Sequence, residues 1–192
     1  MIYEAVIVTR NADSTAHVAP LGFRWRAKHV VLAPFRPSTT LDNLERSRQA
    51  VVNLTDNVAV IAGSLTGRRD WAIVPAHGVQ GWRLADTLAH MELEIESMED
   101  NERRPRFFCN VVHQETHSDF KGFNRAQAAV IEAAILVSRL HLLPADKIDN
   151  EIGYLKIALE KTGGERERLA WGWLMERIDS FRRKANQKAE NL

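Results

Sequence analysis

Apolar and polar positions follow two periods along this chain, and the change of period divides it. Up to about residue 115 the apolar runs are short, rich in β-branched residues and bounded by turn chemistry, which predicts strands. Residues 2–9 predict a strand, R-N-A-D-S at 10–14 a tight turn, and residues 15–21 the returning arm of a hairpin. Residues 29–33 predict a third strand. Leu41, Leu44 and Arg48 then recur at helical spacing, so a short helix is expected over about 40–49. A-V-V-N-L at 50–54 follows as a buried strand with one polar residue, Asn53. Residues 65–81 are the least regular and predict a loop-rich excursion with one strand or short helix. Met91, Leu93 and Ile95 alternate with Glu92, Glu94 and Glu96, which predicts a strand with its glutamates on a solvated face. Residues 106–113 return to complete a long hairpin. This part therefore predicts a mainly antiparallel β domain with one short helix, sandwich or barrel in kind.

T-H-S-D-F-K-G at 116–122 is a polar connector, and beyond it the period is helical. Asn124 and Gln127 form an N-x-x-Q capping-box pattern ahead of an almost wholly apolar run to 142, which Pro144 ends. Ile148, Ile152, Leu155 and Leu159 stripe a second helix, with Gly163-Gly164 expected to supply a left-handed closing residue. Ala170, Leu174, Ile178 and Phe181 stripe a third, whose basic end suits a helix C-terminus. The expected domains are 1–116 and 117–192, the second a three-helix domain.

Composition narrows the function. The chain has 192 residues, 45% of them apolar, with mean hydropathy −0.29, enough for a sizeable core. No apolar run approaches the roughly 20 residues of a membrane span, and the N-terminus lacks the basic leader and cleavage site of a signal peptide. Cys109 is the one cysteine, on an apolar run, so a buried thiol in a reducing compartment is expected and the cytoplasm is the expected location. Basic residues number 26 against 25 acidic ones, a balance that carries no electrostatic footprint for nucleic acid.

Two stretches carry candidate binding chemistry. F-R-P-S-T-T-L-D-N-L, from Phe35 on, gathers Arg36, the hydroxyls of Ser38, Thr39 and Thr40, and the unpaired N–H groups of a helix start. Such a point suits an anion, and a phosphate above all; a well-capped helix with a solvent-facing arginine would show the same pattern. H-V-A-P-L-G at 17–22 puts Pro20 and Gly22 at a strand end, where backbone N–H groups leave the ladder and can meet the polar edge of a flavin or nicotinamide ring; an ordinary strand end reads alike. H-Q-E-T-H at 113–117 would offer two metal ligands on one helical face. Its order departs from H-E-x-x-H and it ends a strand, where positions four apart are distant, so no metal is expected. Arg68, Arg69, Trp71, Trp82 and Arg83 suit a solvated loop with buried tryptophans better than a nucleic-acid surface. A Walker-type loop and G-x-S-x-G are both missing from the sequence.

The order E-A-V-I-V-T-R-N-A-D-S, H-V-A-P-L-G, P-S-T-T-L-D-N-L, A-V-V-N-L-T-D resembles the FMN-binding split-barrel proteins related to flavin reductases. F-N-R-A-Q-A-A-V-I-E-A-A-I-L-V-S-R resembles the helical extension of one branch, a domain-of-unknown-function family with archaeal and bacterial members. The resemblance spans nearly the whole chain. It implies an α+β fold: a six-stranded antiparallel Greek-key split β-barrel followed by three helices. It also implies noncovalent FMN and a homodimer with the flavin near the subunit interface. By position, Ser38, Thr39, Thr40 and Asn43 would line the phosphate end with Arg36 beside them. Ala19, Pro20 and Leu21 would line the ring, and Asn53 would lie near the ribityl chain or in the barrel wall. No catalytic acid or base follows. The expected activity is a flavin-dependent oxidoreductase of unknown substrate, with a nicotinamide or other small reductant. A non-catalytic flavin carrier is the alternative, and a dimer whose anion site holds sulfate or a nucleotide is a third reading.

Overall fold

In the computed structural model, which describes residues 1–190, the chain runs through nine strands and five helices. The first part holds β1 (Val6–Arg10), β2 (Ala16–Pro20), β3 (Phe23–Arg26), β4 (His29–Leu32), α1 (Thr39–Ser47), β5 (Gln49–Leu54) and α2 (Val58–Leu65). Next come β6 (Ile73–Pro75), β7 (Trp82–Leu84), β8 (Ala89–Glu99) and β9 (Arg106–Thr116), then α3 (Arg125–Ser138), α4 (Ala145–Thr162) and α5 (Glu165–Glu190). Packing divides them into two compact units, Met1–Asp56 with Arg69–Phe120, and Asn57–Arg68 with the residues from Lys121 onward.

In the first unit seven strands form one antiparallel sheet in the order β2-β1-β5-β8-β9-β4-β3. The sheet curls until β3 reaches the segment ahead of β1: Tyr3 exchanges both backbone hydrogen bonds with Phe23, each 2.9 Å. The curl encloses Ile7, Val30, Leu32, Val52, Leu93 and Phe107, and Leu41 and Leu44 of α1 join that core. Each such burial contributes about 1.5–3 kcal/mol before the entropy cost is subtracted. The fold is the split β-barrel with three C-terminal helices that the sequence predicted. Pro20 lies on β2, an edge strand, as a residue without N–H requires. Cys109 is fully buried, and burial pushes its thiol up to about 12.

Several details differ from expectation. The sheet has a seventh strand, β3, whose F-R-W-R carries too many charges to read as a strand. It pairs with β4 across a turn in which Ala27 takes φ 53. Ser14 likewise takes φ 64, left-handed backbone where glycine is the usual choice. The segment 65–81 contributes the end of α2 and β6, which pairs with β7 as a separate two-stranded sheet. V-A-V-I-A-G-S-L is a second helix within the first 116 residues, capped by the Asn57 side chain on Ala59 N–H at 3.2 Å.

In the second unit α3 packs against α2, α4 and α5. Asn124 caps α3, its Oδ1 accepting from Ala126 N–H at 2.8 Å. Gln127 does not close the capping box; its amide donates to Glu167 at 3.3 Å. Gly163 is not left-handed: it closes α4 in extended backbone, φ −75 and ψ 132. Glycine is needed there for space, since a Cβ would stand 2.5 Å from the Leu159 carbonyl oxygen. Arg68 lies over the Trp173 ring at 4.0 Å and pairs with Glu176 at 3.5 Å, so it belongs to this unit's packing.

Candidate functional site

The chain leaves β4 through Pro34 and Pro37 and turns into α1 at Ser38. Ser38 is the N-cap, extended at φ −162, and its Oγ accepts from Leu41 N–H at 3.2 Å. That bond uses a lone pair and leaves the hydroxyl proton free to donate. Thr39 is exposed and Thr40 buried. Thr40 Oγ1 lies 3.1 Å from Nε2 of His17, a residue of β2. Burial first, then the nearby Arg69 charge, hold the His17 imidazole below its ordinary pKa. The helix start, three hydroxyls and a neutral-leaning imidazole are thus brought together, and the first-turn N–H groups lack intrahelical acceptors.

The other predicted residues have partners of their own. Arg36 is ion-paired with Asp100 at 3.1 Å and Glu45 at 3.5 Å. Asn43 is a buried strut: its amide nitrogen donates to Thr9 Oγ1 at 3.0 Å and Asn11 Oδ1 at 2.9 Å, and its oxygen accepts from Arg46 at 2.7 Å. Asn53 is fully buried in the barrel wall, donating to the Val6 carbonyl at 3.2 Å and accepting from Leu84 N–H at 2.8 Å. Ala19 and Pro20 pair with Ile7 and Val6 on β1. Leu21 N–H is not freed at the strand end; it donates to the Ala5 carbonyl at 3.0 Å.

A second polar cluster lies on the β8–β9 hairpin, and sequence reading missed half of it. Alternation put Glu92 on a solvated face. The structure buries it completely, with the His77–Val79 backbone folded over it. Its carboxylate accepts from the N–H groups of His77, Gly78 and Val79 at 2.8, 2.5 and 3.0 Å, and from His90 Nε2 at 3.1 Å. Burial alone would raise the Glu92 carboxyl, but these donors outweigh it and hold the group below its ordinary pKa. His90 is 1% exposed, and its Nδ1 lies 2.9 Å from His117 Nε2. His77 and His113 stand beside them, ring centroids 5.1 Å apart. The signal available in sequence was H-M-E at 90–92 facing H-Q-E-T-H at 113–117 across one hairpin.

Curled sheet, capped α1 and helical extension define a split barrel of the flavin-reductase type. The chain belongs to the DUF447 family of proteins of unknown function: the family's N-terminal domain matches residues 3–118 and its C-terminal part residues 124–176. Among solved structures it is similar to an FMN-bound DUF447 protein from Methanosarcina mazei, at 17% identity and TM-score 0.79, covering 92% of this chain and 94% of that one. The 2-nitrobenzoate 2-nitroreductase NbaA of Pseudomonas fluorescens is similar at 20% identity and TM-score 0.53, over 59% of this chain and 64% of that one. The styrene monooxygenase flavin reductase of Pseudomonas putida is similar at 16% identity and TM-score 0.52, over 60% and 81%. No curated protein sequence matches the chain. Among the described residues no helix is long and apolar enough to cross a membrane.

Proposed function

We propose that this protein binds FMN and acts in the cytoplasm as a flavin-dependent oxidoreductase, reduced by a nicotinamide or a similar small donor. The observation that carries the reading is the start of α1, where Ser38, Thr39, Thr40 and the first-turn N–H groups offer donors to a phosphate. The residues fit that group. Ser38 keeps a donor proton after capping, Thr39 is exposed, and Thr40 is positioned by His17. The FMN carried by a relative that shares the fold over 92% of this chain supports the same ligand here. The edge strand at Ala19, Pro20 and Leu21 would meet the ring. Asn43 and Asn53 would act by holding the walls, and Arg36 from beside the phosphate, while keeping Asp100 and Glu45 as partners. Bound FMN would supply the hydride chemistry; the chain's part is binding, orientation and shielding. Purified protein is expected to be yellow, or to quench FMN fluorescence on titration, and NADH or NADPH to bleach the bound flavin faster than free FMN. Bound flavin that no reductant bleaches would favour the carrier reading, and a protein that leaves FMN unchanged would end both.

The same reading includes a homodimer. Beyond the Tyr3–Phe23 bridge the outer side of β3, Arg24–Arg26, pairs with no second strand among the described residues; Trp25 there is 47% exposed and Tyr3 44%. Unpaired edges of this kind are commonly covered by twofold pairing. Light scattering at micromolar concentration is expected to give twice the 21.8 kDa chain mass, and a monomeric mass would refute the pairing.

A further inference from the structure

We propose that the end of the β8–β9 hairpin binds a divalent transition-metal ion such as zinc, through His90 Nδ1, His117 Nε2 and the Glu115 carboxylate. The pairing register sets His90 opposite Glu115 and Glu92 opposite His113. His117 follows the last residue of β9 and is held in line by its own N–H, which donates to the Leu88 carbonyl at 2.7 Å. Along one strand positions 113 and 117 are too far apart to share an ion. The cross-strand partner His90 supplies the second imidazole instead.

Glu92 sets the orientation of that imidazole. Both its oxygens accept from backbone N–H groups, which can only donate, so toward His90 it is an acceptor as well. A proton on His90 Nε2 thus faces Glu92 and leaves the Nδ1 lone pair to accept from His117 Nε2–H, the bond that a metal ion would replace. A carboxylate holding the far nitrogen of a ligating histidine is the usual support of such a ligand. The two facing nitrogens are 2.9 Å apart, close to the roughly 3.3 Å separation that two imidazoles take on a tetrahedral ion. The ligand atoms of His90, Glu115 and His117 all lie within 4.8 Å of one another.

A second observation points the same way. His113 Nε2 is buried and has no hydrogen-bond partner among the described residues, and it lies 3.9 Å from Glu115 Oε2. His77, His113 and Glu115 also have ligand atoms within 4.8 Å of one another, so Glu115 belongs to both groups. The orphaned imidazole nitrogen stands beside the same carboxylate, not on the ion that His117 would hold, and marks this face of the hairpin as rich in unengaged ligand atoms. Imidazoles with one carboxylate and no thiolate suit zinc or ferrous iron, whereas calcium and magnesium take all-oxygen shells.

The test uses the full chain, stripped with a chelator and titrated with Zn2+ alone against a chromogenic competitor. One ion per chain with submicromolar affinity is expected, and Co2+ in its place should give the visible absorption of a low-symmetry site. His117→Ala and Glu115→Ala are each expected to weaken binding about tenfold or more, and Glu92→Gln about 10–100-fold. His141→Ala, on an exposed turn distant in sequence, should leave it unchanged. His90 is buried and its substitution confounds folding with binding, so the exposed Glu115 and the partly exposed His117 are the deciding positions. Absence of stoichiometric binding, or binding undiminished in the Glu115→Ala/His117→Ala double variant, would overturn the site and leave a hydrogen-bonded cluster only.

Discussion

Glu92→Ala is expected to lower the unfolding free energy by about 3–5 kcal/mol, the cost of removing one partner from a buried charged network. The carboxylate is fully buried and accepts from three backbone N–H groups and one imidazole. Alanine would strand all four donors, and each buried orphan costs about 1–3 kcal/mol when water cannot reach it. The sum is capped because the 77–79 loop can lift and re-solvate its own N–H groups. Glu92→Gln keeps an acceptor but turns an NH2 toward donors, so a smaller loss is expected. Urea unfolding of the metal-free chain checks both; a loss under about 1 kcal/mol for the alanine variant would show that the network is not a structural anchor. The pH dependence follows in sign. A carboxyl held below its ordinary pKa adds stability above the unfolded value, about 4.3, and that stability is lost as pH falls through the depressed folded value. The acid limb of the wild-type curve should therefore fall more steeply than that of Glu92→Gln.

Thr40→Ala is expected to weaken FMN by roughly ten- to a hundred-fold while riboflavin, which lacks the phosphate, barely changes. A hydrogen bond to a charged group contributes roughly 1.5–3 kcal/mol, and about 1.4 kcal/mol is one decade of affinity. The same substitution removes the Thr40–His17 hydrogen bond, so the thermal midpoint has to be measured beside the affinity. Ser38, not Thr40, caps α1, so helix stability is not the main loss. Arg36→Ala is the companion variant. Its guanidinium is engaged by Asp100 and Glu45, so a smaller effect is expected than at Thr40. An FMN/riboflavin ratio unmoved by Thr40→Ala would put the phosphate somewhere other than the start of α1.

What could be read beforehand was whatever one segment decides for itself. The Ser-Thr-Thr start of α1, the Pro20 edge and the long β8–β9 hairpin are local in that sense. What escaped depends on partners remote in sequence. Glu92 alternates with Met91 and Leu93 as a solvated residue would, and only the 77–79 loop makes its burial tolerable. The partners of Asn43 and Asn53 could not be read from their own segments either: the packing of α1 against the sheet brings Thr9 and Asn11 to Asn43, and the barrel wall brings Val6 and Leu84 to Asn53. V-A-V-I-A-G-S-L has no period to separate helix from strand, being buried at nearly every position. H-Q-E-T-H was judged along one strand, when the relevant neighbour, His90, lies across the hairpin.

The position of α2 has a consequence for how the chain is made. Its packing partners α3 and α5 lie in the helical unit, yet it is synthesised ahead of β6 to β9. The ribosome must add about 60 residues after α2 before α3 begins, which at roughly 5–20 residues per second takes on the order of 3–12 s. Throughout that interval the greasy octapeptide Val58–Leu65 waits in the nascent chain without the helices that later enclose it. The hairpin β8–β9 can form while it waits, but the helical unit cannot. The apolar α2 is therefore finished well before the helices that bury it, and it spends that interval without its native packing partners.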